Sequence, residues 1–359
     1  MKKRILSIVA LALCLCFLSS CGDTKLAKTK KISTDITQSI VVLKSNITEQ
    51  QDFGAFFEYF KESYVVPGLL EGVIPQGICY DEASGYLLIT GYYEKEKHPS
   101  VLMAMDAQNG KLIGAYPLKK TDGTDYFGHA GGIAASQNTV YITSEQECYA
   151  FSSYLLNNIK NGAAIQFQSK FKLNTQGSFA CYYNNILWIG DFVESDEKVK
   201  EAISDITTLE NGQTFYAYCE GYTLVDGLPN IKNINSEANG YIPDYMLAIP
   251  EQVQGMAFSK ANKILFSTSY GRKNNSKIYV FEDVLENEKT GTKIIDGKEV
   301  DFYACSNGEL IEEIVAPPMS EGMANHPDGV YIAFESGAHK YRSGGGKFPT
   351  DKLYFSTIE

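Results

Sequence analysis

Short apolar runs separated by polar turns recur along most of this chain, and five of them open in the same way. A polar residue and glycine stand at the start of an apolar strand in Gln76-Gly77-Ile78-Cys79, His129-Ala130-Gly131-Gly132-Ile133, Gly177-Ser178-Phe179-Ala180, Gln254-Gly255-Met256-Ala257 and Glu321-Gly322-Met323-Ala324. Each opening is followed by a turn and a strongly apolar second run: Tyr86 to Thr90, Val140 to Thr143, Ile186 to Gly190, Ile264 to Thr268 and Val330 to Phe334. Asp81 to Gly85, Gln137-Asn138, Asn184-Asn185, Lys260 to Asn262 and Pro327-Asp328-Gly329 supply the turn chemistry that joins such pairs. Third strands are predicted over Val101 to Asp106, Cys148 to Ser152, Thr214 to Cys219, Lys277 to Phe281 and Lys352 to Thr357. Fourth strands are predicted over Lys111 to Leu118, Ile165 to Leu173, Tyr245 to Ile249 and Glu309 to Ala316.

Four short antiparallel strands at a near-regular repeat are the pattern of propeller blades. The reading is therefore an all-β chain, a β-propeller of five blades with four antiparallel strands each. A β-sandwich is the competing reading, and the fivefold recurrence of the polar-glycine opening at one place in each unit stands against it. Two insertions, the charged and helix-patterned Ser195 to Glu210 and the stretch Tyr222 to Asp244, leave room for a sixth or seventh blade. The last unit stops after its third strand, and an open edge there is a liability. An N-terminal strand, either Ser39 to Leu43 or Tyr64 to Leu70, is expected to close the ring. Phe53 to Glu62 has apolar residues at helical spacing and is expected to cap one end.

The first residues change the picture from a bare domain to an addressed one. A basic start, Met1-Lys2-Lys3-Arg4, precedes an apolar run from Ile5 to Phe17 and then Leu18-Ser19-Ser20-Cys21. That is the layout of a secretory signal peptide. The small pair before Cys21 resembles the bacterial lipobox, which implies diacylglycerol or palmitate-type acylation of the Cys21 thiol. The organisation expected is signal peptide 1–20, lipidated cysteine and flexible tether 21–45, and propeller domain 46–359, with the protein anchored to the cell membrane on its extracytoplasmic face.

The formal net charge of −11 and the lack of a basic stripe argue against nucleic acid as a partner. Of eight cysteines, Cys14 and Cys16 leave with the signal peptide and Cys21 is acylated. The other five, Cys79, Cys148, Cys181, Cys219 and Cys305, are scattered without a CxxC pair. Buried free thiols are expected, rather than a metal cluster or a disulfide framework.

In a propeller the first strand of each blade lines the central channel. The openings thus place Gln76, His129, Ser178, Gln254 and Glu321 around one mouth. The loops of the same face carry Gly91-Tyr92-Tyr93, Glu145, Asp191, Tyr270-Gly271-Arg272 and Glu335-Ser336-Gly337-Ala338-His339-Lys340-Tyr341-Arg342. The candidate ligand-binding residues are Gln76, Ser178, Gln254, Tyr93, Asp191, Tyr270, Arg272, Glu335, Lys340 and Arg342. Glu321 and His129 are the candidates for proton transfer. With help from Glu335, Asp191 or backbone oxygens, the mouth could also hold a single calcium or zinc ion.

The segments Val253 to Phe258, Ser269-Tyr270-Gly271-Arg272, Pro317 to Gly322 and Phe334 to Arg342 resemble those of a family of secreted bacterial propeller lipoproteins, a resemblance that brings no activity with it. Pro75-Gln76-Gly77-Ile78 and Ser320-Glu321-Gly322-Met323 also resemble the blade openings of five-bladed glutaminyl cyclotransferases. That likeness implies conversion of an N-terminal glutamine to pyroglutamate inside the ring. The second unit departs from it with His129 and two glycines, and the third with Ser178.

No GxSxG, HExxH, P-loop or calcium-loop pattern is present. The expected function is a membrane-anchored propeller that binds a peptide, glycan or partner protein on its top face. The alternative is an enzyme of cyclotransferase or hydrolase type, with Glu321 as acid and base and Gln76 and Gln254 orienting the substrate.

Overall fold

The computed structural model describes residues 35–47, 53–95, 98–230, 233–235 and 239–359, so the signal-peptide and Cys21 assignments lie outside the described residues. The described residues form five sheets of four or more strands and one two-stranded ribbon. The first sheet runs Val73–Asp81, Tyr86–Tyr93, Val101–Asp106 and Leu112–Lys119. The second begins Gly132–Ser136, Thr139–Ser144, Glu147–Ser152 and Ser169–Lys172. The third begins Phe179–Tyr183, Ile186–Gly190, Ala217–Val225 and Tyr245–Ile249. The fourth is Val253–Phe258, Ile264–Thr268, Ser276–Phe281 and Leu310–Ala316. The fifth is Ser320–His326, Gly329–Phe334 and Lys352–Ser356, finished on its outer edge by Phe60–Val65 from the front of the chain.

Second strands read as unbroken apolar runs because both faces of each sheet are buried. In the first sheet Leu87 and Ile89 pack with Ala333 and Leu353 of the fifth, while Leu88 on the opposite face packs with Ile133 and Ile142 of the second. Tyr141 and Leu187 belong to the core between second and third sheets, Trp188 and Phe266 to that between third and fourth, and Leu265 and Ile332 to that between fourth and fifth. Successive sheets therefore pack face to face, and the last returns to the first. This is a propeller-like, all-β arrangement.

The first strands meet at the centre, and glycine is what lets them. A Cβ on Gly77 would lie 2.7 Å from the Gly131 carbonyl, and one on Gly322 would lie 2.7 Å from the Ile78 nitrogen. One backbone feature repeats at all five inner strands. A residue one or two positions before each has positive φ: Gly72, Ala130, Gly177, Gln252 and Met319. Only two of these are glycine, so the repeat is hidden in the sequence.

The closing strand is Phe60–Val65, which shares only Tyr64 and Val65 with the expected Tyr64 to Leu70 and nothing with Ser39 to Leu43, and the helix before it is Gly54–Tyr59. Phe56 and Phe60 are fully buried against Phe334 and Tyr354, which fixes that register. Part of the stretch expected as tether is packed. Ile36 is buried, Gln38 Nε2 donates to the carbonyls of Val65 and Gly110 at 2.7 Å each, and the Val41 and Val42 amides donate to Asp351 Oδ2 at 2.6 and 2.9 Å.

Three further strand assignments change. Ile165 to Leu173 is two strands: Ile165–Gln166 pairs with the edge of the first sheet, and Ser169–Lys172 with the second. The third strand of the third sheet is Ala217–Val225, since Thr214–Phe215 turns away to pair with Thr207–Thr208. The hairpin Gly291–Ile295 and Lys298–Ala304 extends the outer edge of the third sheet. Asp296-Gly297, with positive φ at both, is a sequence signal that would have found it. All five described cysteines are buried and free. Among the described residues no helix is long and apolar enough to cross a membrane.

Candidate functional site

Three of the five polar-glycine openings are β-bulges. The pairing register slips between Pro75 and Ile78, between Val253 and Gly255, and between Ser320 and Met323. A bulge re-aims the side chain it carries. Here it turns Gln76, Gln254 and Glu321 toward the middle of the ring, while His129 and Ser178 arrive just before their strands begin. All five line one cavity of ≈ 420 Å³, together with Tyr92, Glu145, Gln176, Phe192, Glu335 and Tyr341.

Glu321 and Glu335 form the centre of this cavity. They come from neighbouring positions of the fifth sheet, on the first strand and just after the second. Glu321 is 4% exposed. Burial and then the neighbouring Glu335 carboxyl raise its pKa well above the usual carboxylate range. Burial likewise pushes Glu335 up to about 7, against the hydrogen bond from Tyr341 and the field of Lys340. Two carboxyls in contact out of water cannot both ionise, so Glu321 keeps the proton and hydrogen-bonds to Glu335. Amides secure the pair: Gln76 Nε2 donates to Glu335 Oε2 at 3.3 Å, and Gln254 Nε2 lies 3.5 Å from Glu321 Oε1.

Aromatic rings wall the cavity. Tyr92 and His129 lie with ring centroids 4.4 Å apart. Burial pushes the Tyr92 hydroxyl up to about 12, and burial lowers the His129 pKa, so that ring is neutral at pH 7. Tyr341, on the short helix His339–Arg342, covers the carboxyl pair, and burial followed by Glu335 raises its hydroxyl pKa. Glu145 sits on a two-residue turn in which both it and Gln146 have positive φ. Non-glycine residues held there store strain of about 1–2 kcal/mol each.

The remaining candidates take other places. Arg272 and Lys340 lie over the Tyr341 ring, 4.9 and 5.1 Å from its centroid, behind the cavity wall rather than in it. Arg342 donates to the carbonyls of Gly337 at 2.6 Å and Leu69 at 3.2 Å, a structural role. Tyr93, adjacent to Tyr92 and so on the other face of its strand, packs on His98 with centroids 4.9 Å apart. Tyr270 is exposed and donates to Glu194 Oε2 at 3.1 Å. Asp191 lies in a neighbouring cavity of ≈ 240 Å³, which shares Gln176 and Phe192 with the central one. Gln176 and Phe192 escaped the sequence reading, since neither belongs to the repeated opening. Among the described residues no three or more His, Cys, Asp or Glu side chains converge as metal ligands would.

No protein-family model matches this chain, and no curated protein matches it. Among solved structures it is similar to the glutaminyl cyclase of Myxococcus xanthus, with a TM-score of 0.43 and 10% identity over 84% of this chain and 97% of that one. A glucose dehydrogenase-type oxidoreductase from Thermus thermophilus gives 0.37 and 9% over 82% and 99%. The PQQ domain of pyranose dehydrogenase from Coprinopsis cinerea gives 0.35 and 10% over 79% and 92%.

Proposed function

We propose that this chain is a five-bladed propeller, exported and held at the extracytoplasmic face of a cell membrane by lipid on Cys21, whose central cavity binds a ligand through an ammonium group. The carrying observation is the Glu321–Glu335 pair in a cavity that no lysine or arginine lines. Fold stability does not ask for two carboxyls there. Aromatic faces at Tyr92, Tyr341 and Phe192 favour a cation over an anion, and a neutral His129 does not oppose one. A peptide N-terminus or a free amine carries the group this site would accept; a neutral glycan does not.

A bound cation competes with the proton on Glu335, so affinity rises as pH increases through about 7, where Glu335 ionises. Calorimetric titration of the full-length chain with n-pentylamine tests this. The expected result is binding at pH 8 that falls about tenfold or more at pH 5.5 and is lost in Glu335→Gln. Equal binding in the variant, or none at either pH, contradicts the proposal.

A second reading draws on the same pair. Two carboxyls that hold one proton beside a ligand cavity are also a proton donor and acceptor. An enzyme of glutaminyl cyclotransferase or hydrolase type would use Glu321 in that role, with Gln76 and Gln254 orienting the substrate. Turnover of N-terminal glutamine peptides by the wild type, and its loss in Glu321→Gln, would favour this reading; turnover retained in the variant would sink it.

A further inference from the structure

Asp191 takes no part in the central cavity, yet it is placed as a binding group would be. It follows the second strand of the third sheet, Ile186–Gly190, and its Oδ1 accepts the Gln176 amide, which anchors it at the floor of the smaller cavity. The wall there is apolar over Val193, Ile203, Met246 and Ile295, and polar at Asn174, Thr175 and Asp205. Burial pushes the Asp191 carboxyl up to about 7, and the nearby Glu220 and Asp205 add to the rise. Glu220 is fully buried but satisfied, since it accepts from the Asn174 and Thr175 side chains and amides. The nearest cation, Lys293, is engaged elsewhere. Its Nζ pairs with Asp205 Oδ1 at 2.7 Å and lies 3.7 Å from the Tyr218 ring centroid. Asp191 is thus a carboxyl in a largely apolar pocket, with a single backbone hydrogen bond and no cation of its own.

The two cavities adjoin. Gln176 and Phe192 belong to the walls of both, with the Glu321–Glu335 pair on one side and Asp191 on the other. An acidic group at each end and an apolar stretch between them describe the complement of a molecule with two ammonium groups joined by an aliphatic chain.

We infer that the two cavities form one elongated site for a linear dication of the diamine class, with one ammonium at Glu321 and Glu335, the chain across Phe192, and the second ammonium at Asp191. The inference rests on the ammonium reading of the central cavity and extends it. No covalent step is involved. The second contact is a charge-assisted hydrogen bond away from bulk water, which commonly adds about tenfold or more to affinity.

The test is titration of the full-length chain at pH 8 with α,ω-diaminoalkanes of increasing length, beside n-alkylamines of matching length. The expected result is an optimum diamine length that binds about tenfold or more tighter than its monoamine. Asp191→Asn should bring the diamine down to the monoamine's affinity, with a wild-type unfolding transition by Trp188 fluorescence reporting that the variant is folded. Ile203→Lys, which puts a competing ammonium into the smaller cavity, should do the same without altering Asp191. Monoamines and diamines binding alike at every length in the wild type overturn this inference while the ammonium reading stands. So does a diamine preference that survives in both variants. Failure of both ligand classes overturns the ammonium reading and this inference together.

Discussion

Glu321 and Glu335 are costly side chains to bury, and the cost should show in the pH dependence of stability. Their folded pKa values lie above those of an exposed glutamate, so the folded state holds protons that the unfolded chain releases. The contribution is fully present below about pH 4.5 and is lost as pH rises through about 7. For Glu335 alone this amounts to roughly 3 kcal/mol by pH 8. Glu335→Gln should therefore unfold at higher denaturant concentration than wild type at pH 8, with the gap closing toward pH 4.5. Trp188, the single tryptophan and fully buried, provides the fluorescence signal. Asp191, raised to about 7 by burial, adds a slope of the same sign that remains in the variant. Much of this was legible at the residue scale. The repeated polar-glycine opening located Gln76, His129, Ser178, Gln254 and Glu321 at one mouth because a propeller leaves that position only one place to go. The partnership of Glu321 with Glu335 was not legible, because it depends on a bulge that the sequence does not announce. Arg342 illustrates the opposite limit. Its charge suggested a ligand, yet its guanidinium serves the carbonyls of Leu69 and Gly337.

At the scale of elements, the inner strands are tied together by a side chain on the same strand as Glu321. Asn325, near the end of the first strand of the fifth sheet, donates from Nδ2 to the Tyr182 carbonyl at 2.9 Å. Its Oδ1 accepts the Phe258 amide at 2.7 Å. One amide thus links first strands of the third, fourth and fifth sheets. Asn325→Ala should cost about 2–3 kcal/mol, since it leaves a backbone donor and an acceptor without partners. A loss of less than about 0.5 kcal/mol in denaturant unfolding would show that water replaces it. Strand order was legible wherever both faces of a sheet are buried, as the apolar second strands show. It failed at outer edges, where the pattern is half polar and pairing is decided by neighbours: Ile165 to Leu173 divides between two sheets, and the Asp296-Gly297 hairpin joins the third sheet although it lies within the fourth in sequence.

For the whole molecule, closure depends on residues far apart in the chain. Phe60–Val65 pairs with Lys352–Ser356, and Phe56 and Phe60 fill the core between the fourth and fifth sheets. A chain beginning after Leu70 loses this strand, its buried aromatics and the docked segment held by Asp351. It should show no cooperative unfolding transition by Trp188 fluorescence; a normal transition would mean that the fifth sheet stands without its outer strand. The ring that this strand completes holds the carboxyl pair at its centre, where a bound cation is expected to take the place of the proton on Glu335. Proton release on n-pentylamine binding tests it most directly, by calorimetry near pH 7 in buffers of differing ionisation enthalpy. Glu335 is about half ionised at that pH, so release of about half a proton is expected, rising toward one at pH 6; binding with no release, or with proton uptake, would contradict this.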